Sequence, residues 1–149
     1  MQIKNMKFGQ INGRGKKVGI AVSRFNQGIT DGLLAAARTA LARFGVKEGE
    51  IKILSIAGAM ELPLALQKLA ASNKYDCLVA LGCVIRGETP HFDYVAKTAQ
   101  EGVLRVALDY HIPIGFGVLT TENLTQAKKR LHVGAEAAAA ALELALIKI

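Results

Sequence analysis

Four short apolar runs, each followed by a polar turn and all but the last by a plain helical periodicity, leave this chain few folds to choose from. Val18-Gly19-Ile20-Ala21-Val22, Ile51 to Ile56, Tyr75 to Gly82 and Ile114-Gly115-Phe116-Gly117-Val118-Leu119 read as strands. The first is apolar without a break, as a strand covered on both faces requires. After it, Leu33, Leu34, Ala37, Leu41 and Phe44 recur on one helical face, with Thr30 or Asp31 as the cap and Gly45 as the stop. Pro63, tolerable only in a first turn, opens a second helix. A third runs from Asp93 to about Tyr110, with Val95, Ala99, Gly102, Val103 and Val106 near one face. Asn123 caps a further helix, with Gln126 three residues on in a capping-box-like arrangement. Gly134 opens a last, alanine-rich helix to about Lys148, which has little bulk and should pack on a sheet or on another subunit.

Strands alternating with helices predict a parallel sheet in a three-layer αβα sandwich of the flavodoxin-like kind. At 149 residues one domain is expected, over 18–149, preceded by a polar lead of residues 1–17. In that lead Met6-Lys7-Phe8 is a candidate edge strand, one that could add to a neighbouring subunit's sheet. The formal net charge of +7 allows an anionic partner. The basic residues are dispersed, apart from Arg14-Lys16-Lys17 and Lys128-Lys129-Arg130, and no basic stripe with aromatic or helix-turn-helix support argues for nucleic acid. Cys77 and Cys83, about 20 Å apart along one strand, cannot pair and read as buried thiols of a reducing compartment. There is no apolar leader, and the stretch from Ala135 to Ile147 is too short to span a bilayer and carries Glu136 and Glu143. A soluble cytoplasmic protein is the expectation.

In an open parallel sheet, ligands bind beyond the carboxyl ends of the strands. Three strand ends carry suggestive residues. Phe25 follows the first strand and could stack on a flat heteroaromatic ligand, or pack on its own helix. Ala57-Gly58-Ala59-Met60-Glu61-Leu62-Pro63 follows the second. There Gly58 supplies backbone freedom, the groups at 59 and 60 can face a ligand, and Glu61 either accepts ligand N–H and O–H groups or simply suits a helix N-terminus. The third strand leads into Cys83-Val84-Ile85-Arg86-Gly87-Glu88-Thr89-Pro90-His91. Arg86 and Thr89 are phosphate-type ligands, and Gly87 lets an N–H approach an anion. Thr89, ahead of Pro90, should not begin the helix. His91 can exchange protons near neutral pH. Against this stand a surface Arg86 and a His91 that merely caps. The glycines flanking Phe116 leave its ring room, or serve packing. Lys128-Lys129-Arg130 read as a solvated basic surface at a helix C-terminus, and His111 as structural. No G-x-G-x-x-G, zinc-type Cys/His pairing or G-x-S-x-G elbow is present.

Four segments, Ser23-Arg24-Phe25-Asn26, Gly58 through Pro63, Gly82 through Val95 and Pro113 through Thr121, closely resemble lumazine synthases. The likeness runs from about residue 18 to about 131, and more loosely through the last helix. The string Val84-Ile85-Arg86-Gly87-Glu88-Thr89-Pro90-His91-Phe92-Asp93-Tyr94 is its most specific part. The resemblance implies condensation of 5-amino-6-(D-ribitylamino)uracil with 3,4-dihydroxy-2-butanone 4-phosphate to 6,7-dimethyl-8-ribityllumazine, with release of phosphate and water. It implies that Phe25 stacks on the pyrimidine, that Ala59, Met60 and Glu61 hold the ribityl chain, and that Cys83, Val84 and Ile85 meet the pyrimidine edge through backbone groups. Gly87, Glu88 and Thr89 would hold the phosphate together with Arg130. His91 would carry protons, and Phe116 would be lent by an adjacent subunit. No metal or organic cofactor is implied. Partners implied are two small-molecule substrates, further copies of the chain as a pentamer or multiples of it up to an icosahedral shell, and riboflavin synthase. One departure is visible: Arg130-Leu131-His132-Val133-Gly134-Ala135-Glu136 is several residues shorter than the Gly/Lys/Asn-rich segment the family usually carries there. A flavin- or lumazine-binding relative without catalysis, and a purely structural shell protein, are the competing readings; the first needs neither His91 nor Arg130.

Overall fold

In the computed structural model, which describes Phe8 and residues 10–149, the four apolar runs form one parallel sheet in the order β2-β1-β3-β4. The strands are β1 (Val18–Ser23), β2 (Ile51–Ile56), β3 (Cys77–Ile85) and β4 (Ile114–Thr121). The helices are α1 (Gln27–Arg43), α2 (Leu62–Ala71), α3 (His91–Tyr110), α4 (Leu124–Lys128) and α5 (Val133–Ala145). The edge strand expected at 6–8 falls, Phe8 apart, outside the described residues. No helix among the described residues is long and apolar enough to cross a membrane.

The sheet is covered on both faces, which is why β1 is buried at every position. On one face Leu33 and Leu41 of α1 and Ala138 and Leu142 of α5 pack against Ile20 and Val79. On the other, Leu62 and Leu66 of α2 and Ala99 and Val103 of α3 pack against Leu78 and Ala80. Each fully buried leucine contributes about 1.5–3 kcal/mol of transfer free energy. This is the expected αβα sandwich, with its layers now assigned.

The alanine-rich α5 lies on the sheet and on α1, and glycines let it come close. A Cβ at Gly115 would sit 2.0 Å from the Ala137 carbonyl oxygen, and one at Gly134 2.1 Å from that of Leu33. The glycines beside Phe116 therefore make room for α5 and for Leu81 rather than for the Phe116 ring, which decides for packing over ring room. On the opposite face Gly102 of α3 meets Pro63 of α2, where a Cβ would come within 2.3 Å of the proline ring.

Several boundaries moved. Helix α1 starts at Gln27 rather than at Thr30 or Asp31, because Asn26 takes a left-handed conformation (φ 61°) and its carbonyl accepts the Ile29 and Thr30 N–H groups. Thr30 is buried within the first turn. Strand β3 begins at Cys77, since Asp76 is used to hold Lys17: its carboxylate accepts the Lys17 N–H at 2.8 Å. It then runs on to Ile85, and β4 on to Thr121, because the two pair to their ends. Helix α3 starts at His91, directly after Pro90, whose φ of −70° suits a helix entry. Helix α5 stops at Ala145, short of Lys148. Asn123 caps α4 as expected: its Oδ1 accepts the Gln126 N–H at 2.9 Å, while Gln126 Oε1 accepts the Glu122 N–H at 2.8 Å.

Candidate functional site

The strand order reverses direction between β1 and β3, and a crevice opens at such a point. Strand β1 pairs with β3 only as far as Val22 with Leu81, whereas β3 continues to Ile85. The Leu78 and Arg86 N–H groups donate to β4-side carbonyls, those of Pro113 and Thr121. Neighbouring residues of a strand alternate sides, so Cys83 and Ile85 turn their backbone groups toward the side that β1 has vacated. The backbone of Val84 faces β4. Only its side chain can reach a ligand, which narrows the expected role of residues 83–85.

A cavity of about 420 Å³ occupies this crevice. Phe25, Ala59, Met60 and Glu61 line one wall, Cys83, Val84 and Ile85 the floor, and Gly87, Thr89 and His91 the other wall. Three strand ends thus meet at one rim, as the sequence pattern predicts. The size suits a drug-sized ligand.

Phe25 is held by its backbone and not by its ring. The Arg24 and Phe25 N–H groups donate to the carbonyls of Ile56 and Ala57 at the end of β2, at 2.8 and 3.0 Å. The ring is 70% exposed, so it does not pack on its own helix. An exposed aromatic at a cavity mouth presents a flat apolar face to a ligand.

Ala59–Glu61 form one 3₁₀ turn before α2, with the Glu61 N–H bonded to the Gly58 carbonyl at 3.1 Å. Gly58 is extended (φ −153°, ψ −178°), a conformation open to any residue. The freedom expected of it is not used. Its missing side chain instead leaves space beside Glu61, whose Oε2 would lie 3.3 Å from a Cβ there. The Glu61 side chain caps nothing in α2, and its carboxylate reaches the cavity.

Gly87 is open: among the described residues no non-neighbouring atom comes within 4 Å of where a Cβ would stand. Thr89 does not begin the helix; its Oγ1 accepts the His91 N–H at 3.4 Å. His91 is exposed at the cavity and is the first residue of α3, so an anion held by 87–89 would sit at the positive end of a 20-residue helix. Cys83 is 2% exposed, and burial pushes its thiol up to about 11. It is neutral at physiological pH and is no nucleophile there.

Four expected residues stand apart, Arg86 among them, its guanidinium held by Glu122 and Asp93. Glu88 is exposed and does not line the cavity. Phe116, midway along β4 beside Ala80, is 40% exposed and also lies outside the cavity of its own chain. Arg130 lies just past α4, and its NH1 donates to the Gln126 carbonyl at 2.7 Å. That is the helix-end contact of the plainer reading. From there the shortened bend closes quickly: the Val133 N–H reaches the Arg130 carbonyl at 3.0 Å, and Leu131 folds over Gly32.

Other contributors escaped the sequence reading. Asn26 donates from Nδ2 to the Cys83 carbonyl at 2.9 Å, bridging two strand ends. Phe92 and Val95 also line the cavity. Their spacing of one and four from His91 was the available signal, masked because Val95 also serves the core.

Known proteins resemble this chain along most of its length. A family model described as 6,7-dimethyl-8-ribityllumazine synthase matches residues 15–148. A protein of that name from Polaromonas sp. (strain JS666) is 48% identical over 137 residues, covering 91% of this chain and 89% of its own. One from Paracidovorax citrulli (strain AAC00-1) is 50% identical over 137 residues with the same coverage. One from Azoarcus sp. (strain BH72) is 48% identical over 141 residues, covering 93% and 90%.

Proposed function

This chain belongs to the 6,7-dimethyl-8-ribityllumazine synthase family of riboflavin biosynthesis, and from that premise we infer that the rim cavity is where it builds the lumazine. The observation that carries the reading is a single cavity joining the exposed ring of Phe25, the open edge of β3 and the start of α3 with His91.

The pyrimidine of the ribitylaminouracil stacks on Phe25 and sets its polar edge against the backbone of Cys83 and Ile85. Its ribityl chain runs along Ala59, Met60 and Glu61, where the carboxylate accepts hydroxyl protons. The phosphate of the four-carbon ketone lies at Gly87, Glu88 and Thr89, with the amino end of α3 behind it; Glu88 contributes through its backbone. The two substrates then meet above Val84.

The enzyme is read as a transferase. The amine of the uracil attacks the ketone carbonyl, and the adduct loses water to a Schiff base. Phosphate then leaves as a carbon-bound proton is given up, the ribitylamino nitrogen attacks the carbonyl this unmasks, and loss of a second water completes the ring. Each step moves a proton, and His91 at the junction of the two substrates can serve more than one of them. Holding the partners in register supplies much of the remaining acceleration. No metal or organic cofactor enters these steps.

The site is completed by a second copy of the chain. Phe116 is half-exposed and outside its own cavity, and Leu104 and Leu108 of α3 are exposed on the same side of the sheet, which supports a subunit contact there. Arg130, also outside its own cavity, reaches phosphate in the same assembly. The pentamer is the assembly this reading favours, with riboflavin synthase as a candidate partner. A cytoplasmic location suits the two buried free thiols, Cys77 and Cys83.

The test is direct. Mixing both substrates with purified protein should generate a product absorbing in the near ultraviolet. His91→Ala should slow turnover by about 10²-fold, the usual scale of one proton carrier. A wild-type rate equal to the uncatalysed background would reject the reading. Mass in solution, measured on the same sample, should be a multiple of the chain's; a monomer would remove the shared site.

A further inference from the structure

We propose that Arg86 is a positioning residue that sets the phosphate turn and His91 by clamping the ends of β3, β4 and α3 to one another. The proposal rests on the reading of the cavity given above.

Arginine is the strongest phosphate ligand in the segment 86–91, yet Arg86 does not line the cavity. Its guanidinium is committed elsewhere. Nε donates to Glu122 Oε2 at 2.8 Å, just past the end of β4, and NH1 donates to Asp93 Oδ1 at 3.5 Å in the first turn of α3. The same group lies 4.4 Å from the centre of the Phe92 ring, and Phe92 lines the cavity beside His91. Its backbone N–H donates to the Thr121 carbonyl at 2.9 Å. One side chain thus fixes three element ends around the turn 87–90, and the arrangement uses the planar fork and the stacking face together, which a lysine cannot do.

Stability alone does not account for the arrangement. Both ion pairs are well exposed, and such pairs contribute little singly. Geometry is another matter, because small misplacements of binding and catalytic groups cost large factors in rate. The connection continues beyond Glu122: its N–H donates to Gln126 Oε1, and Arg130 donates to the Gln126 carbonyl. Arg86 therefore orients the turn on one side and the segment carrying Arg130 on the other.

Arg86→Gln, Arg86→Lys and Glu122→Gln test this, with KM measured for each substrate and inorganic phosphate affinity measured by calorimetry. Arg86→Gln should raise KM for the phosphorylated ketone, and Kd for inorganic phosphate, by about tenfold, while KM for the uracil stays within about twofold. Arg86→Lys and Glu122→Gln should fall between it and wild type. Unchanged values throughout would overturn the proposal. So would equal losses for both substrates together with a fall in Tm, which is what a merely structural clamp predicts. Absence of phosphate binding by wild type would overturn it as well. Should Arg86→Gln fail to fold, Glu122→Gln decides by the same criteria. Should wild type not turn over, the functional reading fails, and the phosphate affinities alone decide for or against Arg86.

Discussion

The Asn26 carboxamide donates to the Cys83 carbonyl across 2.9 Å, joining residues 57 apart in the chain. This bond stands where β1 would have paired had it run further, and it locks the turn carrying Phe25 to the strand end that floors the cavity. Asn26→Gly should keep the left-handed backbone but lose the donor, lowering stability by about 1 kcal/mol. Asn26→Ala should lose a further 1 kcal/mol or so, because alanine resists a φ of 61°. Urea unfolding of the two variants checks the order, and both should bind the uracil substrate more weakly than wild type.

Phe25 separates binding from stability. Its ring is 70% exposed, so Phe25→Ala should leave the unfolding free energy within about 0.5 kcal/mol. The same change should raise KM for the uracil about tenfold, the scale of one lost stacking contact with an aromatic ring. A large stability loss would mean that the ring packs inward in solution.

Two glycines should respond differently to a single methyl. Gly115→Ala puts a Cβ 2.0 Å from a backbone oxygen of α5, which cannot move without the helix. It should destabilise by about 3 kcal/mol or prevent folding. Gly102→Ala meets the Pro63 side chain at 2.3 Å and should cost about 1–3 kcal/mol. Because α2 and α3 flank the cavity, Gly102→Ala should also change KM for both substrates. Thermal unfolding beside steady-state kinetics distinguishes the two.

Burial raises the Cys77 thiol to about 12 and that of Cys83 to about 11, from an ordinary value of 9.0. The folded state therefore holds these protons longer than the unfolded chain does. The stabilisation is whole below pH 9 and is lost as pH rises through 11 and 12. Cys77→Ala should show a shallower fall of unfolding free energy over that window than wild type. At pH 8 neither native thiol should react readily with iodoacetamide, and the alkylating agent should not abolish activity.

Ser23 gives a test of opposite sign. Its Oγ is buried without a hydrogen-bond partner among the described residues, against the edge of Gly82. Removing an unsatisfied buried hydroxyl relieves a desolvation penalty, so Ser23→Ala should leave stability unchanged or raise it by up to about 1 kcal/mol. Guanidinium unfolding measures it.

Much of this was legible in the residues. Apolar runs located the strands though not all their ends, and Asn123 with Gln126 marked a helix start that the hydrogen bonds bear out. The rim itself followed from where each strand gave way to polar residues. What escaped depends on contacts distant in sequence. Nothing local to Asn26 marks it as a bridge, since its partner is on β3. Gly115 and Gly117 look like relief for the ring between them until α5 is seen lying on them. Arg86 has the chemistry of a phosphate ligand, and only its two carboxylate neighbours, one of them 36 positions away, turn it from the cavity. Arg130 and Phe116 mark the same boundary, for one chain does not bring them to its own cavity.

Strand β3 outlasting its neighbour has a consequence for selectivity. A flat heterocycle with donors and acceptors along one side can dock there as though it were the next rung of a ladder. Discrimination then resides in main-chain spacing, which no substitution edits directly. Side chains at 83 and 85 are then free to drift among apolar types while the molecule they receive stays the same.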